Sequence, residues 1–399
     1  MARKAVSRSQ VRDTLWRARP CQAVAHAVCV LSGITWWTLS AEQGDAQVVG
    51  GDEPVEWGIA DRPRLEIGGS DRGPTSFGAI VGVLRLATGA IVVGDGMARE
   101  LRFFDPTGGH LASVGGNGEG PGEFRTMRPP LACAGDTIWV WDPALGRVSL
   151  YSAEGTFLRQ ETLPRTDYDT EWAPWSFACN DGGGFAVVSR SALQMVPRQE
   201  GPMSVDVRVE ITSPRGDVVL GPFPGEEAYA IDGMIAPRPL GRATRVALGA
   251  DRVYVGVADR FSIDVYDFDG QLLLTVGDGA APLELTGRRQ QAFIDDVVSG
   301  SRDPESSRRF YQRIDFPDRL PAFDRLIVDD QGDLWVRSFP EPGMPRARWH
   351  VFDPTGVERA QLQVPVQFEM SAVDDTSLLG IWTDAAGIQS IRAYALTRR

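Results

Sequence analysis

From Arg64 onward the chain alternates short apolar runs with polar turns. Six runs have strand character: Ile91-Val92-Val93, Ile138-Trp139-Val140-Trp141, Phe185-Ala186-Val187-Val188, Val253-Tyr254-Val255, Leu334-Trp335-Val336 and Leu378-Leu379-Gly380-Ile381-Trp382. They are short, rich in β-branched and aromatic residues, and bounded by turns such as Thr88-Gly89, Gly135-Asp136 and Gln331-Gly332-Asp333, which predicts buried strands rather than helices. One hairpin chemistry recurs downstream of them. It reads Phe104-Asp105-Pro106-Thr107-Gly108, Tyr151-Ser152-Ala153-Glu154-Gly155, Ser213-Pro214-Arg215-Gly216, Tyr266-Asp267-Phe268-Asp269-Gly270 and Phe352-Asp353-Pro354-Thr355-Gly356. Asp or Ser caps the turn, Pro presets φ and Gly takes the left-handed position, the requirements of a type I turn followed by a bulge. Four short strands joined by tight turns thus recur at intervals of about 45 to 60 residues, the repeat of a propeller blade rather than of a sandwich.

A second repeat lies between blades. Gly68-Gly69-Ser70-Asp71-Arg72-Gly73-Pro74-Thr75-Ser76-Phe77 matches Gly115-Gly116-Asn117-Gly118-Glu119-Gly120-Pro121-Gly122-Glu123-Phe124 as GGxxxGPxxF, with a degraded copy from Gly277 to Leu285. The first copy follows Arg64-Leu65-Glu66-Ile67, a strand with no earlier partner, while the last unit, Phe368 to Leu396, holds only three strands. The N-terminal strand is therefore expected to complete the last blade and close a ring, which removes both open sheet edges. The expected fold is an all-β, six-bladed propeller of four-stranded antiparallel blades over residues 64–399. Residues 286–313 break the pattern and predict two short amphipathic helices, split near Asp303-Pro304, between blades four and five. Such links gather on one face with the turns joining second and third strands, so this insertion is expected to cap that face.

The hairpin Phe104 to Gly108 followed by Gly118-Glu119-Gly120-Pro121-Gly122-Glu123-Phe124 resembles the bacterial exported six-bladed propellers related to NHL repeats and TolB-like propellers. The resemblance covers roughly Arg64 to Leu396, and is weak in the third blade, where Asp181-Gly182-Gly183-Gly184 and Ser189 stand. It implies the fold and an exported location; the family includes binding scaffolds and enzymes alike.

The N-terminus changes how the rest is read. A basic segment precedes an apolar run from Ala23 to Leu39, and Gly44 and Ala46 stand at −3 and −1 of a cleavage site before Gln47. Residues 1–46 are expected to be an export signal and 47–63 a linker, the alternative being a retained anchor. The whole chain carries −12, and the body beyond residue 46 holds 35 basic against 50 acidic residues. A body that acidic argues against nucleic acid and against membrane surfaces once the signal is gone. An exported monomer is expected. Cys133 and Cys179 remain in the mature body, where an oxidising compartment permits a disulfide; two free buried thiols are the other possibility.

Candidate chemistry is sparse. His110 and His350 are the mature histidines, each within an expected strand, too few for a zinc site. Calcium, the cofactor of the lactonase-like propellers, needs hard oxygen ligands, and Asn180 at an inner-strand end is the one candidate. No GxSxG elbow is present. Recognition residues are easier to nominate: Asp95, Asp142 and Arg147 in turns of the link-rich face, Arg125 and Arg128 from the link, and Trp172 and Trp175 flanking Pro174 in a loop before blade three. Exposed aromatics beside arginine are good binding anchors. The expected function is a cofactor-free module binding a small ligand or protein partner on that face. The rival is a calcium-dependent hydrolase of the lactonase or gluconolactonase kind acting at the central channel.

Overall fold

The computed structural model describes residues 53–69, 73–133, 135–162, 171–180, 184–195, 199–213 and 216–398. The expected export signal, residues 70–72 of the first link and the Pro214-Arg215 turn lie outside the described residues. The described chain is predominantly β, with strands gathered into six sheets and two α-helices, an arrangement of the propeller type. No helix in it is long and apolar enough to cross a membrane.

Sheet 1 runs Ile80–Arg85, Ile91–Asp95, Glu100–Phe104, His110–Gly115. Sheet 2 runs Leu131–Cys133, Thr137–Asp142, Arg147–Tyr151, Phe157–Glu161. Sheet 3 begins with Trp172–Cys179 and Phe185–Ser191, and sheet 4 holds Arg245–Leu248, Arg252–Gly256, Ile263–Asp267 and Leu272–Val276. Sheet 5 runs Phe323–Val328, Leu334–Ser338, Arg346–Phe352, Glu358–Pro365, and sheet 6 runs Phe368–Val373, Ser377–Thr383, Gln389–Thr397. Neighbours within each run pair antiparallel in chain order. The N-terminal strand Leu65–Gly68 pairs antiparallel with residues 390–393 of sheet 6. Within the expected linker, Gly58–Ile59 pairs with the end of that same strand, and Val55–Glu56 joins the edge of sheet 5 in parallel.

The repeated hairpins share one geometry. Asp105 Oδ1 accepts from the amides of Thr107 (2.7 Å) and Gly109 (3.0 Å), and Asp353 Oδ1 accepts from those of Thr355 (2.8 Å) and Val357 (3.1 Å). Gly108 and Gly356 sit at φ of 92° and 88°, a conformation that side-chain-bearing residues rarely adopt. A register shift follows at Phe103/Phe104 and again at Val351/Phe352, the bulge that this turn produces.

Packing joins the sheets pairwise. Leu101 and Phe103 meet Ile138 and Val140 between sheets 1 and 2; Trp141 and Leu150 meet Phe185 and Val187 between sheets 2 and 3. Val209 and Ile211 meet Val253 and Val255, Val265 meets Leu334 and Val336, and Trp335 and Trp349 meet Phe368 and Leu378. A sixth cluster sets Leu379 and Ile381 of sheet 6 against Ile80 and Val83 of sheet 1, with Ile67 of the N-terminal strand included. Each fully buried large side chain contributes about 1.5–3 kcal/mol.

Sheet 3 departs from the expected short-stranded unit. Its third and fourth strands, Gly201–Ser213 and Gly216–Ile231, have 13 and 16 residues, and a fifth strand, Met234–Pro237, follows. Register shifts at Val205/Val207 and Val207/Val209 interrupt the alternation that would have announced them. Trp172 and Trp175 belong to the first strand of this sheet rather than to a loop before it. The helices α1 (Gly287–Ser299) and α2 (Pro304–Gln312) start at Thr286 and Asp303, whose side chains accept from the amides of Arg289 and Ser306. They lie against the long hairpin of sheet 3: Phe310, Tyr311, Ile314 and Phe316 cluster with Tyr229 and Ile231, and Arg313 grips Asp232 at 2.9 Å through both terminal nitrogens.

Candidate functional site

The nominated acids are parts of the framework. Asp95 is fully buried and accepts from the amides of Gly78 (3.0 Å), Ala79 (3.3 Å), Met97 and Ala98 (both 3.1 Å), while pairing with Arg102 at 3.1 Å. Asp142 repeats this one sheet later, accepting from the amides of Arg125 (2.8 Å), Thr126, Ala144 and Leu145 and from the Thr126 hydroxyl (2.8 Å). Each carboxylate staples an incoming link to the turn between second and third strands. Arg147 completes the second copy by donating to the carbonyls of Glu119, Gly120 and Glu123 (2.7–2.9 Å). Arg102 does the same for Pro74 and Ser76 in the first. The repeated GGxxxGPxxF link is thus held by a repeated clamp. Arg125 stays exposed beside Glu119.

The other nominated residues converge. The Arg128 guanidinium lies 4.5 Å from the centroid of Trp175, and that of Arg190 3.2 Å from the same ring. Trp172 carries Arg208 at 4.9 Å. Trp175 is 39% exposed, so one aromatic surface and two cations share a solvent-facing place. Arg128 and Trp172 sit where the chain enters first strands, and Arg190 at the matching end of the second strand of sheet 3. Arg245 opens the first strand of sheet 4, Asp324 and Arg325 stand early in that of sheet 5, and Glu369 in that of sheet 6. The opposite ends of the first strands bound one cavity of about 680 Å³, to which Arg85, Ala132, Cys179, Leu248, Val328 and Val373 each contribute from a different sheet.

Electrostatics links the upper group. Arg190 pairs with Glu226, Arg325 with Glu369, and Arg337 with Asp324 at 2.8 Å. Burial lowers the pKa of Arg190, Glu226 opposes this, and Arg128 and Arg245 reinforce it. Arg245 is likewise lowered by burial, against Asp324 and Glu226, with Arg325 and Arg337 adding repulsion. The residue is nevertheless exposed to solvent. Burial acts to raise Glu369, but Arg325 and Arg337 hold it below the usual carboxylate range. Five guanidiniums (128, 190, 245, 325, 337) therefore face three carboxylates (226, 324, 369). Among the described residues neither Arg128 nor Arg245 has a carboxylate within 4.0 Å, Asp324 and Glu226 acting on Arg245 only from farther away, and Arg128 Nε is buried without a hydrogen bond.

At the other end, Asn180 spends its amide on structure. Nδ2 donates to the carbonyls of Gly249 (2.9 Å) and Ala250 (2.8 Å), and Oδ1 accepts from the Gly184 amide (2.8 Å), which ties sheet 3 to sheet 4. Cys133 and Cys179 form a disulfide with a Cα–Cα distance of 5.5 Å, joining the first strands of sheets 2 and 3. Sequence reasoning missed Arg190, Arg245, Arg325 and Arg337. Their common position, near the link end of first or second strands, is a signal that alignment of the repeats would have exposed. It also set aside both histidines. His110 bonds Ser113 at 2.9 Å, whereas His350 lies between Ser338 (3.0 Å) and Glu358 (2.7 Å).

No protein family matches the chain by sequence, and no curated protein matches it. Among solved structures, a protein from Bacteroides fragilis named as a candidate exported protein aligns over 89% of this chain and 98% of its own at 11% identity and a TM-score of 0.47. A member of the duf4221 family from Bacteroides vulgatus aligns over 86% and 99% at 8% identity and 0.48. Virginiamycin B lyase from Staphylococcus aureus aligns over 84% and 98% at 12% identity and 0.41. None of these carries an argument about the chemistry of this chain.

Proposed function

We propose that this chain is an exported six-bladed propeller, closed by its N-terminal strand, that binds an anionic ligand at the link-side mouth of its central channel. Closure is supported by the sixth packing cluster, which joins sheet 6 to sheet 1, and by the cavity bounded by the first strands of all six sheets. Export is supported by the basic and apolar N-terminal segment and by the Cys133–Cys179 disulfide. The observation that carries the binding reading is the pair Arg128, over the Trp175 face, and Arg245, both near Arg190 and neither within 4.0 Å of a carboxylate among the described residues, in a strongly acidic body. A guanidinium recognises carboxylate, sulfate or phosphate through a planar fork of donors, and the aromatic face suits a flat group beside the anion.

Thermal unfolding of the full chain in citrate, phosphate or sulfate, against chloride at equal ionic strength, tests this. A ligand that binds only the folded state raises the midpoint, by about 2.7 kcal/mol of stability at a hundredfold excess over Kd. One of the oxyanions is expected to raise it saturably, and Arg128→Gln with Arg245→Gln to abolish the rise. Equal responses in both proteins, or none in either, would refute the assignment.

A further inference from the structure

A second cavity of about 660 Å³ lies between sheets 4 and 5, away from the arginine cluster. Its walls come from the link after sheet 4 (Ala280 to Leu283), the approach to sheet 5 (Leu320 to Ala322), and the outer strands of sheet 5. Ser338, His350 and Glu358 all line it. Glu358 Oε1 lies 2.7 Å from His350 Nδ1, and Ser338 Oγ lies 3.0 Å from His350 Nε2. With Nδ1–H donating to the carboxylate, Nε2 is left bare and accepts from the Ser338 hydroxyl.

The strand register produces this line. His350 pairs with Val336, so Ser338 is its diagonal neighbour on the same face, and Phe352 pairs with Glu358 across the bulge. The ring of His350 is held against Phe261 at 4.7 Å, and Gln361 Nε2 donates to Glu358 at 2.7 Å. Nucleophile, base and orienting acid are therefore each fixed by neighbours, and all border open space.

We infer that Ser338, His350 and Glu358 form a nucleophilic triad that hydrolyses small carboxylic esters with an apolar acyl group in this cavity. Such triads are recognised by geometry and roles, not by chain order. Ser338 Oγ attacks the ester carbonyl carbon while His350 Nε2 takes its proton. The carbon–oxygen bond to the alcohol breaks, and His350 returns the proton to the leaving oxygen. Water then attacks the acyl-serine with His350 as base, releasing the acid and regenerating the hydroxyl. Arg346 and Arg348 line the cavity and supply positive charge for the developing oxyanion, while Leu283, Phe339 and Met344 give it an apolar lining. The ion pair of Glu341 with Arg289 of α1, at 2.7 Å, ties the rim to the helical insertion.

The test treats the full chain with an alkyl fluorophosphonate and, separately, with p-nitrophenyl butyrate. One phosphonyl group is expected, mapped to Ser338, together with ester turnover. Ser338→Ala abolishes both, and His350→Gln slows labelling by about a hundredfold or more. Glu358, as a positioning residue, is tested by Glu358→Gln, which lowers kcat and keeps KM, at an unfolding midpoint close to the parent's. Should His350→Gln not fold, the Glu358→Gln kinetics decide. Absence of label at Ser338 in the folded parent chain, or ester turnover equal in Ser338→Ala, overturns the inference.

Discussion

Asp95 and Asp142 end second strands, just before the turns in which the sequence placed them and where an acid ordinarily faces water, yet neither retains exposed surface. Their oxygens receive several backbone amides at once, which supports a buried carboxylate without a metal or ligand. Asp142→Asn would present an amide group to donors and should cost about 3 kcal/mol, read as a fall in the unfolding midpoint with a cooperative transition retained. Asp105 illustrates the exposed version. The Thr107 hydroxyl (2.6 Å), followed by the amides of Gly109 and Thr107, holds its pKa below the ordinary carboxylate value. A depressed folded pKa gives stability that is present above the unfolded pKa and lost as pH falls through the folded one. The midpoint difference between parent and Asp105→Asn should therefore be largest near neutrality and shrink as pH falls below the ordinary aspartate value. A difference that grows with acid would contradict that sign. The turn role of Asp105 was legible in the sequence because its partners lie within four residues. The burial of Asp142 was not, since its donors include a link 16 and 17 residues upstream.

At the scale of elements, legibility follows the range of the interaction that forms them. Hairpins and helices of this length are encoded locally, so the Asp353 turn and the two helices split near Asp303-Pro304 could be read directly. Which residue faces which across a sheet is not local. The Ser338–His350 diagonal depends on register, and a slip of one residue would send the two side chains to opposite faces. The long strands of sheet 3 were hidden by their own bulges. The disulfide sits between these extremes: two cysteines in an exported body permit it, while their pairing depends on the packing of two first strands. With a separation of 46 residues it should contribute about 4 kcal/mol through loop closure in the unfolded chain. Reduction, or Cys133→Ser with Cys179→Ser, should lower the midpoint by several degrees. An unchanged midpoint would mean that the unfolded chain is not constrained by this link.

For the molecule as a whole, the two ends of the first strands differ in charge. One end holds Asp136, Asp329, Asp330 and Asp374 around the lone cation Arg85 among the residues bounding that cavity. The other gathers Arg128, Arg190, Arg245, Arg325 and Arg337. In a body with 50 acids to 35 bases, cations collected at one mouth steer an anion toward it and away from the opposite end. The nominated Arg128 and Trp175 belong to this mouth, but its strength comes from arginines scattered over three sheets and a link, which no single stretch of sequence displays together. A diffraction experiment tests the anion mouth and the ring most directly: crystals of the full chain grown in sodium selenate, whose tetrahedral dianion scatters anomalously. The result expected is a selenium peak bounded by Arg128 and Arg245, in a ring closed by Leu65–Gly68 against residues 390–393. A peak confined to other surfaces, with the arginine mouth empty at saturating selenate, would contradict it.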